Sequence, residues 1–128
     1  MNRILNLTFL LFLFSATVLA QLSTSSLVGT ISGPDGVLPG ATVVIKDNKT
    51  GKEVTATTDD DGGFRVSNLE IGFYTVTVTA AGFKTFTAQE VKLEVGRDYN
   101  LTPTLQIGEV SETVTVTAGT DVINSTDA

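Results

Sequence analysis

The 128-residue sequence contains no cysteine, no histidine and no tryptophan. Each absence excludes something. Without cysteine there is no disulfide and no thiolate nucleophile, so a folded domain must rest on its hydrophobic core. Without histidine the commonest general base and the commonest zinc ligand are both missing. Without tryptophan, and with only two tyrosines and seven phenylalanines, little remains for the aromatic platforms on which sugar-binding surfaces are usually built. Basic residues are scarce as well, eight Lys and Arg against fourteen Asp and Glu, for a formal charge of −6. A surface of that sign repels nucleic acid and anionic membranes.

What is present begins with an address. Arg3 is followed by an apolar stretch from Ile4 to Phe14 and then by "SATVLA", with Val18 and Ala20 at the small-residue positions a signal peptidase reads. The apolar stretch is shorter than the roughly 20 residues of a membrane-spanning helix. Residues 1–20 are therefore expected to be a cleaved signal peptide, and no cysteine follows the site to carry a lipid. Removing Arg3 leaves seven basic residues against fourteen acidic ones, a formal −7.

After a Ser/Thr-rich spacer over residues 21–26, the chain falls into short alternating runs separated by Gly, Pro, Asn and Asp. That rhythm predicts an all-β sandwich. Leu27 to Ser32 ends at "GPDG". In "GATVVIKD", Ala41, Val43 and Ile45 share one face. "NKTG" leads to Glu53–Thr58, and "DDDGG" leads to "FRVSNL", where Phe64, Val66 and Leu69 are expected to face inward. In "FYTVTVTAAGF", Tyr74, Val76, Val78 and Ala80 oppose Phe73 and three threonines, the pattern of a sheet with one wetted face. Two more runs follow, Lys84–Val95 and Asp98–Leu105. No helical periodicity appears after the leader.

Certain residues recur at telling intervals: Gly29 and Ile31, Pro39 to Val43, Asp60, Gly63 and Phe64, Leu69, Gly72 and Tyr74, then Gly82 and Phe83. Together they resemble the carboxypeptidase regulatory-like domain over Leu27 to Ile107. The resemblance implies a transthyretin-like (prealbumin-like) sandwich of about seven strands. The residues agree with it. Gly29, Gly72 and Gly82 fall where positive φ or a close backbone approach would be needed. Tyr74 can bury its ring while its hydroxyl reaches a polar partner.

Chemistry is hard to find. The hydroxyisourate hydrolases of the same fold use histidines, which this chain lacks. The zinc carboxypeptidases that name the domain carry their site elsewhere. "TDDDGG" at Thr58–Gly63 offers adjacent carboxylates, whereas a calcium loop needs alternating oxygens and a later bidentate Glu, so a solvated turn is expected. The strand rhythm also resembles Cna-B-type adhesin domains. Their isopeptide cross-link needs a Glu where this chain has Thr75–Thr79, so no cross-link is expected. No enzyme activity, metal or cofactor is expected.

The last run, "SETVTVTAG", resembles the TonB box of TonB-dependent outer-membrane receptors through Glu112, Thr113, Val114, Thr115, Val116, Thr117 and Ala118. In some of these receptors a carboxypeptidase regulatory-like domain precedes the box, and a plug and barrel follow it. The resemblance implies a fragment of a longer receptor: leader, domain over 27–107, then box and linker over 108–128. It would sit at the periplasmic face of the outer membrane and offer an unpaired strand to the TonB C-terminal domain, with no nucleic-acid partner. Two other readings stay open. The Thr/Val run can be one more strand of the domain's own sheet, and the chain can be a free secreted binding module, for carbohydrate for instance.

Overall fold

The computed structural model describes residues 23–118. The leader expected over 1–20 and the linker expected after the box lie outside them. The described chain forms only strands and turns. In order these are β1 (Thr24–Thr30), β2 (Ser32–Gly33), β3 (Gly36–Val37), β4 (Thr42–Asp47), β5 (Glu53–Thr57), β6 (Gly63–Glu70), β7 (Gly72–Thr79), β8 (Thr85–Leu93), β9 (Asp98–Asn100) and β10 (Thr113–Thr117).

Two sheets face each other. One has the order β6-β1-β9, the other β10-β8-β7-β4-β5, and β2 and β3 form a small ribbon. The alternation that predicted the strands also built the core between the sheets. Val43 and Ile45 from β4, Tyr74, Val76 and Val78 from β7, and Leu27 from β1 are all buried. Phe64, Leu69, Val91, Leu93 and Leu105 join them. Burying a side chain of this size stabilises the fold by about 1.5–3 kcal/mol. A dozen such residues do here what disulfides do in small disulfide-rich domains. Val66, expected in the core, is half-buried and packs against its edge.

Strict alternation cannot place Phe64 and Leu69 on one face, because they are an odd number of residues apart. A β-bulge reconciles them. The β1–β6 register shifts between Ser25 and Leu27, and Asn68 adopts φ 60°, so one extra residue on β6 turns Leu69 back inward. The same device operates in β8. Its register against β7 shifts between Tyr74 and Val76, Glu90 sits at φ 59°, and the buried set passes from Ala88 to Val91 and Leu93.

Three boundaries differ from the sequence reading. β1 starts at Thr24, inside the expected spacer, because Ser25 is buried and its hydroxyl donates to the Arg97 carbonyl at 2.5 Å. The Asp98–Leu105 run forms a strand only as far as Asn100. The third difference concerns the box. Thr113–Thr117, expected to be unpaired, lies parallel to β8 from Thr85 to Gln89 as the edge of the five-stranded sheet.

Two turns are tied from within. Thr58, buried at the end of β5, donates its hydroxyl to the Leu38 carbonyl at 2.6 Å and accepts the Ala41 N–H at 2.8 Å. In "DDDGG", Asp59 Oδ1 accepts the N–H groups of Asp61 and Gly63, both at 2.9 Å. One of the two carboxylate oxygens is thereby committed to the loop backbone.

Candidate functional site

The connection from β9 to β10 determines how the last strand lies. Lys84 N–H donates to the Gln106 carbonyl at 2.7 Å, and Gly108 N–H donates to Gly82 at 3.2 Å. The alkyl chain of Lys84 then crosses Gly108, leaving no room there for a β-carbon. Lys84 Nζ reaches the Glu112 carboxylate at 3.4 Å. Glu112 folds back on its own turn and accepts the Glu109 N–H at 3.2 Å. That hydrogen bond, and Lys84 after it, hold the Glu112 carboxyl below its ordinary range. On the neighbouring strand, Thr85 donates its hydroxyl to Val110 at 2.7 Å and its N–H to Glu112 at 2.8 Å.

β10 follows with a definite phase. In a parallel pair, alternate residues direct both backbone groups to the neighbour. The bonds from Thr85 N–H to Glu112 O, and from Ala118 N–H to Gln89 O at 2.8 Å, place the even-numbered residues on that side. Thr113 and Thr115 therefore turn their backbone groups to the open edge. Val114 lies opposite Phe86 and Val116 opposite Ala88, both half-buried, and Val116 and Ala118 pack against the core. Thr113, Thr115 and Thr117 are exposed on the outer face. Of the seven residues singled out in the sequence, Thr113–Thr117 form an edge strand paired with β8, and Glu112 and Ala118 flank it.

A concavity of about 530 Å³ lies on the outer face of the three-stranded sheet. Val28, Arg65 and Asn100 stand abreast across β1, β6 and β9, with Thr30, Thr102, Thr57 and Asp59 around them. Arg65 donates to the Asp98 carboxylate at 3.2 Å. Hydroxyls, an amide and a guanidinium line this groove, a set suited to hydrogen-bonding a polar ligand. Sequence reasoning did not find it, because its residues come from three strands far apart in the chain. Among the described residues, no three acidic side chains stand close enough to hold a metal ion.

Two facing sheets, a buried tyrosine at a strand corner and glycines at the tight backbone approaches define a prealbumin-like β-sandwich. Residues 26–106 match the carboxypeptidase regulatory-like domain, and the chain belongs to that family. No curated protein is significantly similar to it. Among solved structures it is similar to the TIE protein of Bacillus anthracis, at 24% identity over 66% of this chain and 17% of that one, TM-score 0.55. It is also similar to a putative carbohydrate binding protein from Bacteroides uniformis, at 15% identity over 63% of this chain and 40% of that one, TM-score 0.53. A third is 3-chlorocatechol 1,2-dioxygenase from Rhodococcus opacus, at 9% identity over 69% of this chain and 62% of that one, TM-score 0.54. At these identities the likeness is one of fold. The chain spans less than two thirds of each of these three proteins.

Proposed function

We propose that the chain is the non-enzymatic N-terminal extension of a TonB-dependent outer-membrane receptor, exported to the periplasm, with Glu112–Ala118 as its coupling strand. The observation that carries this reading is the position of the strand. Directly after the family domain, a Thr/Val segment of the TonB-box pattern lies at a sheet edge, with the backbone groups of Thr113 and Thr115 turned outward. A β-prone strand at a sheet margin is one that a partner's sheet can take up. The side chains are small and little differentiated, so backbone hydrogen bonds would supply most of the affinity. A plug and barrel would follow in the same chain, and substrate selectivity would reside there.

The test is a calorimetric titration of the TonB C-terminal domain into the mature protein. Saturable binding that Thr115→Pro abolishes is expected. Thr115 is the informative position, because its N–H faces the open edge, where the domain tolerates a proline. Binding unchanged by Thr115→Pro, or no binding at all, would contradict the reading.

The polar groove favours a second reading, a free secreted module that binds a hydroxyl-rich ligand such as a carbohydrate. Arg65, Asn100 and the surrounding threonines supply donors and acceptors for one. This reading predicts glycan binding that Asn100→Ala and Arg65→Ala weaken. It also predicts a reading frame that ends without a plug and barrel.

A further inference from the structure

β10 differs from its neighbours in three respects. It joins the five-stranded sheet by a parallel pairing, whereas β8, β7, β4 and β5 pair antiparallel. None of its residues is fully buried, as in the opposite edge strand β5, while β4 and β7 each carry side chains wholly removed from solvent. It is also held unequally along its length. The turn before it is fixed to Gly82–Thr85 by four backbone or hydroxyl hydrogen bonds and the Lys84–Glu112 pair. Toward its far end the ladder to β8 continues through Thr117, and Ala118 N–H donates to Gln89 O, but Val116 and Ala118 make only shallow contacts with the core.

From this asymmetry we infer that β10 is an exchangeable strand: the domain stores the segment on β8 and releases it by a local opening that leaves the sandwich folded. Opening runs from Ala118 back toward Thr113 and stops at the Lys84–Glu112 turn. Low-stability units of this kind are poorly buried elements at a sheet margin. Two consequences follow. While docked, the strand covers Thr85–Gln89 of β8, which would otherwise offer a template for unwanted pairing. When a partner takes the strand, the exchange of one edge pairing for another keeps the net cost small. A pull on the chain beyond Ala118 would separate the strand residue by residue and be borne at the turn, sparing the core. The inference rests on the coupling reading only for the identity of the recipient.

Native-state hydrogen exchange on the mature protein alone tests the opening without any partner. The amides of Val114, Val116, Thr87 and Gln89 should exchange on the order of 100-fold faster than those of Val43 and Val76, through an event nearly insensitive to denaturant. A disulfide staple, Thr87→Cys with Thr115→Cys, joins directly paired positions. It should bring the four amides to the protection of the core, and its reduction should restore fast exchange. Exchange of these amides only through global unfolding would overturn the inference. In binding measurements the staple separates the two proposals. Loss of TonB binding in the oxidised staple alone supports exchange. Retained binding means that the partner adds to the open edge of a docked strand and refutes exchange. No binding by the unstapled protein refutes the coupling reading and leaves the hydrogen-exchange result to decide the opening.

Discussion

The carbonyl oxygen of Leu101 occupies the space that a β-carbon on Gly29 would need. The Phe64 ring lies close on the same side, so neither neighbour has room to withdraw. Leu101 is itself fixed there, because its N–H donates to Val28 at 2.8 Å. Gly29→Ala should therefore push the segment after β9 away from β1 and destabilise the domain by about 2–4 kcal/mol. Gly40→Ala, where open space surrounds the residue but φ is +74°, should cost only its backbone strain, about 1–2 kcal/mol. Denaturant melts of the two variants will rank them.

Tyr74 closes the β6–β7 corner by donating its hydroxyl to the Glu70 carbonyl at 2.7 Å. Burial, then the nearby charges of Asp47 and Glu70, raise its pKa above the ordinary value of 10.0. Since the folded pKa is the higher one, this contribution is complete below the unfolded value and is lost as pH climbs through the folded one. Stability should therefore fall above about pH 10. In Tyr74→Phe, a loss of about 1–2 kcal/mol at neutral pH is expected, together with the disappearance of the Tyr74 part of that alkaline decline.

Asp59→Ala removes the acceptor for two loop amides and should cost about 0.5–1.5 kcal/mol, whereas Asp61→Ala, equally exposed, should be nearly neutral. Melting curves taken with calcium and with chelator should coincide for all three proteins. A calcium-dependent rise in Tm that Asp59→Ala abolishes would make the turn an ion site.

Glu112 has a lowered pKa in the fold, from the Glu109 N–H first and Lys84 second. Its help in fixing the turn is therefore present above the ordinary carboxylate range and lost as pH falls through the folded value. Acidification below about pH 4 should speed hydrogen exchange at Thr85 N–H, the amide bonded to the Glu112 carbonyl. In Glu112→Gln the rate corrected for intrinsic chemistry should stay flat over the same window.

Much of this could be read from the sequence, for identifiable reasons. Period-2 alternation in β4 and β7 placed Val43, Ile45, Tyr74, Val76 and Val78 in the core, because a buried face admits no other register. Gly29, Gly72 and Gly82 were legible because no other residue meets their steric or φ requirement at so little cost. The two bulges were not. Asn68 and Glu90 carry no glycine signal, and their positive φ is imposed by pairing with strands distant in sequence. The docking of β10 was hidden for the same reason. Its partner residues on β8 lie 28 positions earlier (Thr113 against Thr85), and nothing local to "TVTVT" specifies a parallel neighbour. Thr58 was passed over because a threonine in a Thr-rich strand gives no hint that it is buried and bonded to both Leu38 and Ala41.

We propose Glu112–Ala118 as the strand through which a coupling protein holds this chain. The most direct measurement uses single cysteines, which the cysteine-free sequence accepts without background. Cysteines placed at Thr113, at Thr115 and, as an exposed control on the opposite sheet edge, at Thr55 are oxidised against cysteines along the edge strand of TonB in intact outer membranes. The account predicts disulfides at Thr113→Cys and Thr115→Cys that increase when transport substrate is present, and none at Thr55→Cys. Equal cross-linking at all three positions, or none at Thr113→Cys and Thr115→Cys, would contradict it.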